Sequence, residues 1–168
     1  KFKPSMKYLL DDADGAGLSL NQQSQLVAWN VLPVGRHGLL SDMPRNDTGE
    51  EVTQGRVDGG FRPTIQQYTA ENIVDYNEST VDGSKKLDLL ILREPRVVFN
   101  ANRIDREIEY DFKVYRLTEY GVTVQVYEGD NGLGPARGDE MPVTGGKKMP
   151  LTTIPFSFIG SVNNNPEY

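Results

Sequence analysis

The segment Tyr110-Asp111-Phe112-Lys113-Val114-Tyr115-Arg116-Leu117 decides the fold class, together with the turn that follows it. Its apolar and polar residues alternate, which is the pattern of a β-strand with one buried face. The phase of the alternation slips near Tyr115, which allows a β-bulge there. Residues 118–121 then predict a hairpin turn, and the three alternate valines of residues 122–126 line one face of the returning strand.

Other strands are predicted on either side of this hairpin. Leu87-Asp88-Leu89-Leu90-Ile91-Leu92 is almost continuously apolar, which is typical of a central strand buried on both faces. Gly38-Leu39-Leu40 predicts a short buried strand, and residues 63–68 alternate in part. Residues 70–74 fit a single helical turn. Residues 151–159 include a proline, which favours an edge strand or an extended segment at this position.

One helix is predicted before the strands. Ser19 stands where an N-cap belongs, and Gln22 follows three residues later, which is the spacing of a capping box. Pro33 and Gly35 end or kink the helix. One apolar stripe runs between these signals at helical spacing, made of Leu20, Val27, Val31 and Val34.

These elements predict an α+β fold in which an N-terminal helix precedes a mostly antiparallel β-sheet. Two long glycine-rich loops are expected at residues 44–60 and 128–149, and the first should be a surface loop. The length of 168 residues predicts one domain over 1–168. Because the chain starts at Lys1 rather than at methionine, we expect it to be a piece of a longer protein.

The composition excludes several kinds of chemistry. The chain has no cysteine and one histidine, so disulfides, thiol nucleophiles and metal sites needing two imidazoles from one chain are excluded. The formal net charge is −6, from 18 Lys and Arg against 24 Asp and Glu. This acidic balance argues against tight, sequence-independent binding of nucleic acid. No apolar run approaches the roughly 18 residues that span a bilayer, so no membrane association is expected.

The best candidate metal site is incomplete. Asp12, Asp14 and Gly17 occupy positions one, three and six of an EF-hand-like loop. Ala16 at position five and Gln23 at position twelve remove two oxygen ligands, including the bidentate glutamate. We therefore interpret the segment as an acidic turn before a helix, and we expect neither a bound metal nor an organic cofactor.

Catalytic patterns are equally weak. No serine lies in a G-x-S-x-G elbow, so His37 lacks a nucleophile nearby in sequence. The carboxylate pairs Asp11/Asp12 and Asp139/Glu140 lie in glycine-rich loops, where solvated charge is the expected role. We expect no catalytic residues and no enzymatic activity.

A structural corner is predicted at residues 35–44, between the helix and the first buried strand. Gly35 and Gly38 would relieve steric conflict there. Arg36 would donate to nearby carbonyls or to a carboxylate, and Asp42 stands where the strand stops. His37 lies within this corner, so we expect it to have a structural or interface role.

Taken in order, a series of short motifs resembles a known family. The motifs are Tyr8 to Leu20, Gly35 to Pro44, Arg62-Pro63-Thr64, Tyr68 to Val74, Leu89 to Glu94, Tyr115-Arg116-Leu117 and Ile154 to Gly160. Their order and spacing resemble an uncharacterised-domain family of tailed bacteriophages and prophages, whose members are portal or portal-like proteins. The resemblance extends over residues 8–160.

The resemblance implies a structural role in the virion. Portal proteins form rings at one capsid vertex, through which DNA is packaged and ejected. The chain would be part of the peripheral wing, in contact with other portal subunits, and capsid, scaffold, terminase and connector proteins would be its further partners. It would be located in the virion, and in the host cytoplasm during assembly.

Two other functions stay open. One is a free-standing β-rich binding module of a phage virion or tail, which would present its glycine-rich loops to a ligand. The other is a carboxylate-using hydrolase, which would require two close carboxylates with one raised pKa. If the chain is part of a portal protein, we expect an exposed apolar patch formed by aromatic residues near the termini, namely Phe2, Tyr8, Phe156, Phe158 and Tyr168.

Overall fold

The computed structural model describes residues 3–42, 62–81, 83–99, 106–129, 134–145 and 149–160, and the predicted loop at 44–60 lies outside these ranges. Its elements are, in chain order, the 3₁₀ helix Pro4–Leu10, α1 (Leu20–Val34), β1 (Arg36–Asp42), β2 (Thr64–Thr69), the 3₁₀ turn Ala70–Asn72, β3 (Ile73–Val81), β4 (Ser84–Phe99), β5 (Arg106–Thr118), β6 (Gly121–Glu128), β7 (Met141–Pro142) and β8 (Phe156–Gly160). All strand pairs are antiparallel. The α+β class predicted from the sequence is therefore confirmed.

The chain divides into two compact units within the stretch for which the sequence predicts one domain. The first unit comprises Lys1–Ala70 with Pro155–Tyr168, and the second comprises Glu71–Ile154. The first unit contains α1 and the three-stranded sheet β2-β1-β8, and the second contains the five-stranded sheet β3-β4-β5-β6-β7.

Helix α1 begins and ends at the residues that the sequence predicts. The Ser19 side chain accepts a hydrogen bond from the Gln22 amide, and the Gln22 side chain accepts one from the Ser19 amide. This reciprocal pair satisfies two amides that the first helical turn leaves without partners. The helix packs against β1 with Val27 buried. Val34, at the end of the predicted apolar stripe, is half exposed.

β1 is the central strand of the first unit, as the apolar run at residues 38–40 predicts. It pairs with β2 on one side and with β8 on the other, so β8 is an edge strand, as the proline in residues 151–159 favours. Among the described residues of this unit, the buried ones are Leu9, Ala13, Gln23, Val27, His37, Gly38, Leu40 and Tyr68.

The second unit is an antiparallel meander around the predicted strand at residues 87–92. Leu90 and Leu92 of β4 have no exposed surface, since β3 and β5 flank the strand. The β-bulge that the alternation allows near Tyr115 is wrong, because β5 keeps a continuous register with both β4 and β6. Val114 and Tyr115 are both buried because both faces of β5 are covered there, which explains the slip in the pattern.

The second glycine-rich region, residues 128–149, is partly regular. Within its described residues, β7 pairs with β6, and Ala136 bridges to Tyr127. The register shifts of this sheet occur in the β3–β4 pair instead, at Val74 and at Asp88.

Candidate functional site

Gly35 makes the turn of the predicted corner. Its φ of 73° is left-handed, its amide donates to the Val31 carbonyl at 2.6 Å, and the next residue starts β1. A residue with this φ after the last helical turn is the usual helix stop, and glycine adopts it without steric cost. The change from helix to strand therefore takes a single residue.

The other three predicted corner residues belong to β1. The Arg36 guanidinium lies over the Phe158 ring, 5.4 Å from its centroid. Gly38 is buried between its cross-strand partners Tyr68 and Phe158, and Asp42 ends the strand opposite Thr64. The corner thus joins α1 to the middle of the sheet, while donation by Arg36 to a carbonyl or carboxylate stays a prediction.

His37 is fully buried in β1. Its Nε2 lies 3.2 Å from Gln67 Oε1, and its Nδ1 has no hydrogen-bond partner among the described residues. Since Gln67 Oε1 is an acceptor, the tautomer that fits carries its proton on Nε2 and leaves Nδ1 as a bare acceptor. Burial lowers the pKa of His37. A neutral imidazole without solvent contact fills space in the core, which agrees with a structural role.

The acidic turn uses its carboxylates to hold its own backbone. Asp12 Oδ1 accepts from the amides of Gly17 and Gly15, and Asp14 Oδ1 accepts from two amides further along the turn. The hydrogen bond from Gly17 is the largest of several contacts that lower the pKa of Asp12. Within the described ranges, no group of three or more Asp, Glu or His side chains is placed to hold a metal ion. These hydrogen bonds give both aspartates a structural role in the turn that precedes the helix.

Arg62 joins the acidic turn to the start of β2. Its guanidinium forms an ion pair with Asp12 and lies 4.7 Å from the centroid of the Tyr8 ring. The Tyr8 hydroxyl donates to the Pro63 carbonyl at 2.8 Å, and burial raises the pKa of Tyr8, an effect that the Arg62 charge opposes. Residues separated by 50 positions in the sequence thus form one cluster.

One side of α1 carries exposed apolar residues. Leu26, Trp29 and Leu32 follow at intervals of three and are exposed by 44, 75 and 82%. At 100° per residue they lie on the side of the helix opposite to buried Val27. We call these three residues the outer face of α1. The sequence holds the signal for this surface, because residues 20–34 contain no charged side chain and apolar residues fall on both sides of the helix.

A second exposed apolar surface lies on β4 and β5. β3 stops pairing with β4 at Leu92, and β6 stops pairing with β5 at Asp111, but β4 and β5 pair with each other as far as Phe99 and Arg106. Residues 95–99 and 106–110 therefore form a two-stranded ribbon beyond the sheet.

The ribbon has an apolar face. Val97 and Ile108 are direct cross-strand partners and are exposed by 53 and 64%. Residues opposite each other, or two apart along a strand, point to the same side. The apolar face of the ribbon consists of Pro95, Val97, Phe99, Ile108 and Tyr110. Two cations border it, the Arg93 guanidinium 4.8 Å from the Tyr110 ring and the Arg106 guanidinium 5.6 Å from the Phe99 ring.

The opposite face of the ribbon is charged. Arg96 pairs with Glu109, with Asp111 at 3.1 Å and with Glu128 at 3.6 Å. Arg137 reaches the same Asp111 at 3.2 Å. These ion pairs join the ribbon to β6 and to the segment that follows β6. The charged face is therefore fixed by contacts inside the second unit.

The apolar patch expected near the termini is wrong for the residues that the structure describes. Tyr8, Phe156 and Phe158 are half-buried, and the two phenylalanine rings pack edge to face at 5.0 Å. Phe2 and Tyr168 lie outside the described residues. Large exposed apolar side chains are concentrated instead on α1 and on the ribbon.

No protein-family model matches the chain, and no curated protein is significantly similar to it. Among the described residues, no helix combines the length and the apolar character that crossing a membrane requires.

Proposed function

We propose that this chain is a structural part of a tailed-phage portal ring, located in the wing and built to contact neighbouring subunits. The observation that carries the proposal is the outer face of α1, where Trp29 is 75% exposed on a helix without charged residues. Tryptophan is enriched and charged residues are depleted at the centres of protein interfaces. An exposed surface of this kind favours an assembly component.

The placement of the motif residues supports the same proposal. Strands β1, β2 and β8 come from three motif-bearing segments that are far apart in the sequence, and they form one sheet. The cluster of Tyr8, Asp12 and Arg62 joins the motif Tyr8 to Leu20 to the motif Arg62-Pro63-Thr64. Several residues that carry the resemblance therefore meet in the first unit, whereas Leu89 to Glu94 and Tyr115-Arg116-Leu117 lie in the second unit.

The acidic charge suits a ring around DNA. With a net charge of −6, the chain has no excess of cations with which to hold phosphates. A conduit that lets DNA slide gains from weak contacts with the backbone. Within this proposal, its partners are other portal subunits, capsid or scaffold, terminase and connector proteins, and its location is the capsid vertex.

Imaging tests the ring directly. The protein encoded by the gene that carries this sequence should be purified and examined as negatively stained particles, with its mass measured by light scattering. We expect rings with a central hole and a mass that is a multiple of the subunit mass. Particles that stay monomeric in every assembly condition would overturn the portal proposal and favour a free-standing binding module.

The hydrolase alternative makes a different prediction. It needs a carboxyl whose pKa is raised, whereas hydrogen bonds to the backbone lower the pKa of Asp12. Glu140 accepts a hydrogen bond from Thr123 at 2.6 Å and lies near Arg116, as a solvated structural carboxylate would. Loss of a hydrolytic activity on replacing either carboxylate would be needed to revive this alternative.

A further inference from the structure

The two units expose different apolar surfaces. In the first unit, the large apolar side chains that are at least 40% exposed among the described residues lie on the 3₁₀ helix and on α1. In the second unit, three of the six such side chains lie on the apolar face of the ribbon. A head-to-tail contact between identical subunits requires two different surfaces that fit each other, whereas a two-fold contact uses one surface twice.

The cations that border the ribbon are electrostatically complementary to the carbonyl end of α1. The outer face of α1 is uncharged, and the last turn of α1 has no basic residue to neutralise the partial negative charge of its carbonyls. Pro33 has no amide hydrogen, so the Trp29 carbonyl also lacks its usual helical donor. Arg93 and Arg106, at the borders of the ribbon, can donate hydrogen bonds to these carbonyls and can make a cation–π contact with the Trp29 ring.

Other pairings are less favourable. Two ribbons meeting through their apolar faces would bring arginines of both copies together, and like charges in an interface are strongly unfavourable. Two α1 outer faces could meet without repulsion, but they would close a two-fold pair and could not continue into a ring.

We propose that the outer face of α1 on one copy binds the apolar face of the ribbon on the next copy, head to tail. This inference rests on the proposed portal function, because the ring supplies the reason for a contact that continues from copy to copy. The outer face of α1 has three residues and the apolar face of the ribbon has five, fewer than the roughly 20–30 residues per partner of a stable interface. An isolated pair is therefore weak, and a closed ring gains stability because every copy makes two contacts.

The single tryptophan of the chain provides a direct measurement. Trp29 lies in the centre of the outer face, so association should shift its fluorescence emission to shorter wavelength as the protein concentration rises. Sedimentation velocity on the same samples would give the mass of the associated species. A chain that stays monomeric, with unchanged emission over the whole accessible concentration range, would overturn the proposal.

Three variants locate the contact. Leu32→Lys on α1 and Ile108→Lys on the ribbon should each weaken association roughly tenfold or more, the effect expected at the centre of an interface. Tyr120→Lys is the matched control, because Tyr120 is 81% exposed at the β5–β6 turn, outside both surfaces, and its replacement should change nothing. Unchanged circular dichroism and melting temperature would show that each variant folds. Equal association of all three variants would contradict the proposal.

Mixing the variants distinguishes head-to-tail from two-fold contact. Leu32→Lys retains an intact ribbon, and Ile108→Lys retains an intact α1, so an equimolar mixture should form a one-to-one dimer that grows no further. In a two-fold contact through α1, Leu32→Lys would stay monomeric in the mixture, and that result would overturn the proposal.

The same variants separate this inference from the portal proposal. If the protein encoded by the gene forms rings and its Leu32→Lys variant still forms them, the contact is wrong while the portal function stands. If the unchanged protein forms no rings, the portal function fails, whatever the variants do.

Discussion

Replacing Gly35 by alanine should destabilise the first unit by roughly 1 kcal/mol. An alanine with a left-handed backbone is strained by about 1–2 kcal/mol, and the φ of Gly35 is 73°. The lower freedom of alanine in the unfolded chain offsets about 0.4–1 kcal/mol of this strain. A Cβ at residue 35 would meet no atom within 4 Å, so no steric clash adds to the cost. Asparagine tolerates the left-handed region better, so Gly35→Asn should cost less than Gly35→Ala.

Gly121→Ala provides the contrast, because it adds a clash to an unfavourable φ of 118°. Its Cβ would lie 2.5 Å from Pro150 Cβ and 2.9 Å from the Leu151 carbonyl oxygen. The expected order of destabilisation is therefore Gly121→Ala, then Gly35→Ala, then Gly35→Asn.

Urea unfolding measures this order. The fluorescence of Trp29, which lies on α1, follows the first unit, and far-UV circular dichroism follows the whole chain. A loss of 1 kcal/mol also lowers the melting temperature by about 2–4 °C in a domain of 150–250 residues. If Gly35→Ala keeps the urea midpoint of the unchanged chain, or if Gly35→Asn is the less stable of the two, the helix stop does not depend on a left-handed residue.

Three further outcomes follow from the structure. Leu92→Ala should cost about 2–5 kcal/mol of unfolding free energy because Leu92 is fully buried, whereas Leu10→Ala, at a half-exposed site, should cost less than about 1 kcal/mol; urea midpoints compare them. Burial lowers the pKa of His37, so the unfolded chain binds its proton at higher pH, and stability should fall as the pH drops below the ordinary value of about 6.5. His37→Gln should remove this part of the pH dependence. If the slope of stability against pH, over roughly pH 5 to 6.5 where histidine titrates, is the same in the variant and in the unchanged chain, the prediction is wrong. The hydrogen bond from Gly17 is the largest contribution that lowers the pKa of Asp12, so the stabilisation that ionised Asp12 provides should be lost as the pH falls below about 3.9. Asp12→Asn should unfold at a lower urea concentration at neutral pH, and its stability should depend less on pH in acid.

Local signals predicted much of the fold correctly. The capping box at Ser19 and Gln22 depends on contacts within four residues, and the turn at residues 118–121 depends on its own backbone. The apolar run at residues 87–92 identified a strand between two neighbours, but only Leu90 and Leu92 are fully buried, whereas Leu89 and Ile91 are partly exposed. Signals of this kind need no knowledge of the rest of the chain.

Features that depend on distant neighbours were missed. The slip at Tyr115 resembles a bulge in the sequence, but it arises because other segments cover both faces of β5. The apolar stripe of α1 could be placed on the buried side, yet the exposure of Trp29 depends on what covers the opposite side. The extension of β4 beyond Leu92 was missed because Glu94-Pro95-Arg96 lacks the composition of a strand.

Pro95 begins the two-stranded ribbon of the described residues. The β3–β4 pairing has already ended three residues earlier at Leu92, and a proline, which has no amide hydrogen to donate, is tolerated on such an unpaired edge. A two-stranded ribbon is marginally stable in water. The ion pairs of Arg96 on its charged face add stability, because they connect β4 to β5 and to β6. Val97 and Ile108 on the other face are cross-strand partners, yet both remain more than half exposed to water. An exposed apolar face of this kind is what the proposed contact with a neighbouring copy requires.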